Sequence, residues 1–408
     1  MILNLQIVII YNVKLYYNRL EAFSVNAEGK TMAEHYLDNS ATTVTSEAAA
    51  QKALHMMTVE YGNPSSLHKK GLYAELELEK AREIIASSLA VETDELYFTS
   101  GSTESNNTVL FGVANAKKRS GNKIVTTAIE HSSVMEACKK LENDGFEVSY
   151  LLPDKDGVVP LSAFEEAVDS NTILVAVMAV NNEIGSIQNI ERIGKIVKRK
   201  NPDAHFHCDA VQAYGKMVLK PKKWNVDTLC VSSHKVHGPK GVGALYLKKG
   251  VRIVPLLYGG EQQKKIRPGT ECAPLIASFA TAVEEFDIVK NREYISELNS
   301  YLKSELSKID SVTINSSEIA LPYVLNISVQ GIKSETMLHH LEQDEVYVSS
   351  SSACAKGKKS YVLQALGLCD KLIDSSLRIS FSKFNDKADI DAFINSLKKG
   401  IDTLAKTK

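Results

Sequence analysis

Between Leu96 and Leu247 the chain repeats one rhythm, a short run rich in β-branched and aromatic residues followed by a longer stretch. The runs are LYFT (96–99), KIVTT (123–127), FEVSYL (146–151), TILVAVM (172–178), HFHCD (205–209), DTLCVS (227–232) and GALYL (243–247). Amphipathic segments such as Ser132–Glu142 and Ile190–Lys200 lie between several of them. Parallel strands need crossover connections, usually helical, so this alternation predicts an α/β fold: a mostly parallel seven-stranded sheet flanked by helices. TILVAVM is apolar on both faces, as an inner strand of such a sheet should be. Ahead of the block, Leu72, Leu76, Ile84, Ile85 and Leu89 suggest a helix packed on the sheet's surface. Beyond residue 275 the rhythm changes. One long helical pattern (Leu275–Ile309) leads into YVLNISV (323–329), a helix (334–342), VYVS (346–349), a helix (361–366), LRISFS (377–382) and a final amphipathic helix. That is a smaller α+β unit. The expected division is a large α/β domain over 45–280 and a small domain made of 32–44 with 281–408.

Residues 1–31 stand apart. Met1–Tyr11 is apolar but far short of the roughly 20 residues a spanning helix needs. No basic residue precedes the apolar run, and no small-x-small cleavage site follows it. The expectation is a disordered extension, or a chain whose translation begins at Met32, in a cytoplasmic protein. Forty-eight basic side chains against 49 acidic ones leave a net charge of −1, which argues against duplex DNA or an anionic membrane as a whole-chain partner. The 6 cysteines are scattered without a C-x-x-C pair, so neither a disulfide framework nor a zinc site is expected.

The chemistry gathers at strand ends. Ser-Ser-His-Lys (232–235) follows DTLCVS and precedes the glycine-rich HGPKGVGALYL, which positions Lys235 rather than leaving it solvated. Asp209 closes HFHCD, at the carboxyl end of a strand where α/β proteins bind ligands. An N-cap is the plainer role for such an Asp. FTSGSTE (98–104) reads as strand, glycine turn and helix opening, and its free N–H groups with the Ser102 and Thr103 hydroxyls make a phosphate site. It is neither a Walker loop nor a GxGxxG turn. Asn-Asn-Glu-Ile-Gly (181–185) leaves the most apolar strand. A phosphate cradle, a strand-end acid and a strand-end lysine fit pyridoxal 5'-phosphate: the lysine forms a Schiff base, the acid keeps the pyridine nitrogen protonated, and the helix start holds the phosphate.

YLDNSATT (36–43), GNPSSLH (62–68), FTSGSTESNN (98–107), EHSSV (130–134), VNNEIG (180–185), DAVQ (209–212), SSHKVHGPKGVGALY (232–246), RPGTE (267–271) and SSSSAC (349–354) extend the pattern. In that order they resemble the cysteine desulfurases of the NifS/IscS type, class-V aminotransferases within the fold-type I pyridoxal phosphate enzymes. The resemblance covers the chain from about residue 35 to near its C-terminus. It implies that Lys235 carries the cofactor, that Asp209 partners the ring nitrogen, and that Gln212 and Asn182 bond the ring's O3′ region. It also implies that His131 stacks on the ring and moves protons, and that Ser102, Thr103, Ser232 and His234 hold the phosphate. Thr270 would reach the phosphate of the other subunit, which implies a homodimer. Arg378 would bind the substrate carboxylate, and Asn39 lies in a motif beside the substrate. The stretch QQKKIRPGT (262–270) departs from the family, with Gln263 and Lys264 in place of a Glu-Arg pair and Pro268 in place of a serine.

Cys354 carries the sulfur chemistry in this resemblance. Its context, SSSSACAKGKKS, is small and polar, and Lys356, Lys358 and Lys359 would favour its thiolate. The other five cysteines lie in or beside apolar patterns and are expected to be inert. The implied reaction converts L-cysteine to L-alanine and leaves a persulfide on Cys354. An acceptor protein then takes the sulfur for iron–sulfur clusters, tRNA thiolation or a thiolated cofactor. A selenocysteine lyase or another class-V aminotransferase is the alternative. A non-catalytic sulfur relay is disfavoured by the intact Lys235, Asp209, His131 and Cys354. A direct nucleic-acid role has no basic aromatic patch to support it.

Overall fold

The computed structural model describes residues 33–350 and 359–405; Cys354 and residues 1–31 lie outside them. A short strand β1 (His35–Tyr36) comes first. The main sheet then takes β2 (Leu96–Thr99), β3 (Lys123–Thr127), β4 (Glu147–Leu151), β5 (Thr172–Met178), β6 (His205–Asp209), β7 (Thr228–Ser232) and β8 (Gly243–Leu247). Its order is β2-β8-β7-β6-β5-β3-β4. β8 runs antiparallel to both its neighbours, and the other pairings are parallel. The seven apolar runs of the sequence are these seven strands, and every residue of β5 is buried between β6 and β3. The helix Ile190–Lys200 buries Ile190, Ile193, Ile196 and Val197, and Asn189 caps it by accepting the Arg192 N–H at 3.2 Å.

Two helical expectations need correction. The helix Lys69–Ser88 exists, but its buried face is Gly71, Ala74, Leu78, Ala81 and Ile85, whereas Leu72 and Leu76 are exposed. Small residues win that face because it packs closely on the helix Ala273–Glu284. The single long pattern after residue 275 is in fact two helices, Ala273–Glu284 and Ile288–Leu306. Asp287 breaks it by capping the second helix through the Lys290 N–H at 3.1 Å.

The C-terminal part adds β9 (Val312–Ile314), β10 (Val324–Val329), β11 (Val346–Tyr347), β12 (Ser349–Ser350) and β13 (Ser376–Ser380). An antiparallel sheet runs β12-β13-β10-β9, and β11 pairs in parallel with β1. From β1 the chain continues as a strap. Its Leu37 and Asn39 N–H groups bond Tyr347 and Ser380, and its Thr43 N–H bonds the His234 carbonyl beside the end of β7. The strap thus ties the small sheet to the large one, and one apolar core, including Val177, Leu325 and Phe381, runs beneath both. Among the described residues, no helix is long and apolar enough to cross a membrane.

Candidate active site

A cleft of about 460 Å³ opens at the carboxyl ends of the parallel strands, against the strap and the small sheet. Lys235, Asp209, Gln212 and His131 line it, joined by Ser102 and Thr103 at one end. Asn182, His234 and Arg378 line it as well. Nine positions scattered over nearly the whole sequence therefore meet in one space.

The phosphate end follows from backbone shape. The helix Ser102–Lys117 opens at Gly101, which has φ +147 and no side chain to cap the first turn. Its leading N–H groups are thereby left for an anion. The turn is possible only because β8 begins with glycine: a Cβ on Gly243 would lie 2.8 Å from the Cα of Gly101 and 2.7 Å from the Val231 carbonyl oxygen. Ser232 is buried behind this turn, and its Oγ would sit 3.9 Å from a Cβ at Gly101.

At the far wall Asp209 is almost wholly buried, accepting from the Asn106 side-chain amide at 2.8 Å and the Val211 N–H at 3.1 Å. Neither bond brings a positive charge, so the carboxylate is held in place yet unneutralised, which suits a cationic ring nitrogen. His131 caps the helix Ser132–Asn143, its Nδ1 accepting the Ser133 N–H at 3.2 Å. Burial lowers the pKa of His131, opposed by Asp209 and assisted by Lys235, so the ring is neutral with its proton on Nε2. His234 is pushed down to about 4, by burial first and then by Lys235. Lys235 Nζ donates to the carbonyls of Ser40 at 2.6 Å and Ala41 at 2.7 Å, both on the strap. Gln212 donates to the same Ser40 carbonyl at 3.0 Å, and the buried Lys216 donates to its Oε1 at 3.0 Å. A phosphate cradle, a buried acid and a strand-end lysine fit pyridoxal 5'-phosphate, and the buried Ser40 Oγ, without a partner among the described residues, adds polar capacity on the cleft wall.

The opposite end presents a buried guanidinium. Arg378 is buried, pairs with Asp38 at 2.7 Å and donates to the Asn182 carbonyl at 3.1 Å. Its Nε has no hydrogen-bond partner among the described residues. Ser349 lines the same end, paired with Arg378 across the small sheet, and Ser360 donates to Glu183, the residue after Asn182, at 2.6 Å.

Several expectations shift. Asn39 lies outside the cleft: its amide braces the Ser380 carbonyl at 2.9 Å and Asn385 at 3.0 Å, while its neighbours Asp38 and Ser40 face the site. Thr270 is exposed and outside the cleft of its own chain. Lys359 is held by Asp370 at 2.8 Å, so its charge is not free for a neighbouring thiol. Cys272 and Cys369 are exposed rather than embedded, whereas Cys138, Cys208 and Cys230 are buried and burial raises their thiol pKa values. Gln263, the departure before Thr270, is structural: its Oε1 accepts the Phe98 N–H of β2 at 2.8 Å, with the backbone at Gln263 in the left-handed region, φ 47. Asp38 and Lys216 escape a reading of the sequence, because their partners Arg378 and Gln212 define them only once the chain is folded.

Residues 35–393 match the class-V aminotransferase family model. The chain is 39% identical over 376 residues to a protein named cysteine desulfurase IscS from Methanosarcina thermophila, covering 91% of this chain and 92% of that one. It is 41% identical over 368 residues to a NifS/IcsS protein homolog from Lactobacillus delbrueckii, covering 88% and 95%. A solved NifS-like protein superposes with a TM-score of 0.87 at 38% identity, over 91% of this chain and 100% of the other.

Proposed function

The chain belongs to the class-V aminotransferase family and is similar along most of its length to cysteine desulfurases, and from that premise we propose that it removes sulfur from L-cysteine and holds it as a persulfide on Cys354. It is a pyridoxal phosphate-dependent cysteine desulfurase; bound at Lys235, the cofactor supplies an electron sink for charge released at the substrate Cα. The observation that carries the reading is the two-ended cleft. One end holds the Lys235–Asp209–His131 set, and the other offers the buried Arg378 guanidinium beside Ser349, in the SSSSAC stretch that leads to Cys354.

Each residue then has a task. Arg378 fixes the substrate carboxylate with a planar fork, and Asp38 fixes Arg378. Lys235 Nζ takes a proton from the substrate Cα and returns it in forming alanine. His131 holds a proton on Nε2 against the ring. Gln212 and Asn182 bond the O3′ region, and Ser102, Thr103, Ser232 and His234 hold the phosphate. The Cys354 thiolate attacks the substrate sulfur: the C–S bond breaks, an S–S bond forms, and the electron pair stays with the carbon skeleton that leaves as L-alanine. The persulfide passes to an acceptor protein of iron–sulfur assembly or tRNA thiolation. A selenocysteine lyase is not favoured by the comparisons.

We place the enzyme in the cytoplasm as a homodimer. Leu54, Met57, Leu72, Tyr73 and Leu76 are large apolar residues exposed on adjacent helices, which supports a second copy covering them. The exposed Thr270 would then reach the partner's phosphate end. The residues divide between a large domain over 45–280 and a small one over 32–44 and 281–408. The test is the yield of alanine and sulfide from L-cysteine, with Cys354→Ala in parallel. Both products with the native chain, and no persulfide with the variant, are expected. Persulfide formed equally by Cys354→Ala would overturn the assignment.

A further inference from the structure

Behind Asp209 lies a file of polar side chains that the proposed chemistry does not use. His205, His207 and Asp209 alternate along β6 and so share one face, and the register sets His207 beside Thr228 and Asp209 beside Cys230 on β7. The helix Ser102–Lys117 lowers Asn106 onto that face. All are buried, so each polar atom must find its partner within the protein.

We propose that His205, Thr228, His207 and Asn106 form a one-way hydrogen-bond chain whose donors all point toward Asp209, making them positioning residues for the acid that faces the cofactor ring. The inference rests on that reading of Asp209. The direction follows from valence together with a neutral His207 ring. An ionised carboxylate only accepts, so the Asn106 group 2.8 Å from Asp209 is its NH₂. The same NH₂ reaches Ser133 Oγ at 2.8 Å. Asn106 Oδ1 therefore faces His207 Nε2 at 2.8 Å and Cys230 Sγ at 3.0 Å, and as a carbonyl oxygen it only accepts. His207 Nε2 must carry the hydrogen.

Burial lowers the His207 pKa to about 4 against the pull of Asp209 and of the Thr228 backbone, so the ring is neutral; with its one hydrogen on Nε2 facing Asn106 Oδ1, Nδ1 is bare. Nδ1 then accepts the Thr228 hydroxyl at 2.9 Å. Having donated its one hydrogen, Thr228 Oγ1 accepts from His205 Nε2 at 2.8 Å. Burial keeps His205 neutral as well. Aligned bonds in a low-dielectric interior reinforce one another, so the carboxylate is stabilised without a neutralising cation. Asp209 is thus fixed in place at the cleft wall by the Asn106 amide and the Val211 N–H.

Histidine ring nitrogen NMR on cofactor-free protein at neutral pH tests the chain without reference to turnover. Both His205 and His207 are expected as neutral Nε2–H tautomers. A His207 ring that is charged, or that carries its hydrogen on Nδ1, would overturn the proposal. In the cofactor-loaded protein Thr228→Val, which keeps the shape and removes the hydroxyl, should shift the visible absorption band and weaken pyridoxal phosphate binding by roughly fivefold, the worth of about one hydrogen bond. Thr228→Ser should restore both. A Thr228→Val spectrum and affinity equal to wild type would also reject it, and if that variant does not fold the wild-type tautomers still decide. Asp209→Asn separates the two readings: native tautomers with an unchanged spectrum there would reject the role of Asp209 while leaving the direction of the chain intact.

Discussion

The two ends of the cleft are made in different ways. The cofactor end stands on the large sheet, where Asp209, Ser232 and Lys235 follow directly from strands β6 and β7. The carboxylate end is assembled from distant pieces: Asp38 on the strap, Asn182 after β5 and Arg378 on β13. The first is a local product of strand order; the second exists only when the small sheet is docked. Damage at the first should therefore strike chemistry, and damage at the second should strike substrate capture.

Lys235→Ala is the most severe test of that contrast. Alanine formation is expected to vanish while the apoprotein keeps its fold, read from an unchanged denaturation midpoint; residual turnover near the native rate would break the distinction. Arg378→Met comes next. Losing charge-assisted bonds to a carboxylate costs about 1.5–3 kcal/mol, so kcat/KM for L-cysteine should fall roughly 10- to 100-fold, chiefly through KM, with the cofactor spectrum intact. A fall confined to kcat would mean that the two ends are not separate.

Gly243→Ala probes the cofactor end through stability. Its Cβ has no room against Gly101 and Val231, and overpacking of this kind costs typically 1–3 kcal/mol. Denaturation midpoints should fall, and cofactor affinity with them.

The smallest expected effect is a change of slope. Glu130 is fully buried between Thr127 and the Met178 N–H, and burial first, with Asp209, raises its pKa to about 8. A carboxyl whose folded pKa lies above its unfolded value of 4.5 binds more protons when folded. Its contribution is therefore present in full below the unfolded pKa and is lost as pH rises toward about 8. Glu130→Gln, which mimics the protonated form, should match wild type near the acid side of that window and be the more stable protein at its alkaline side. Thermal melts across the window check it, and parallel curves would refute it.

The same contrast explains what the sequence disclosed. Strand-end chemistry such as Asp209 and Lys235 was legible because a period-2 run followed by a glycine turn fixes where such residues point. The inner strand β5 was legible for a related reason, since a strand buried on both faces is apolar throughout, and the others by their β-branched runs between helical stretches. The buried face of Lys69–Ser88 was not, because glycine and alanine faces carry little apolar signal. Nor was the two-residue β1, whose partner β11 lies more than three hundred positions along the chain. Asp38 could be quoted as part of a motif, yet its partner Arg378 is 340 positions away, and no local pattern reports that.

The strap has a consequence for how the enzyme is made. Its carbonyls receive Lys235 and Gln212, but its own anchors, Tyr347 and Ser380, are among the last parts of the chain to leave the ribosome. A nascent chain can form the large sheet early, since all seven strands precede residue 248. The floor of the cleft is in place long before its lysine and glutamine acquire their fixed acceptor. The strap is thereby seated last, and a product truncated before Tyr347 keeps the cofactor wall without its fixed strap and without Arg378.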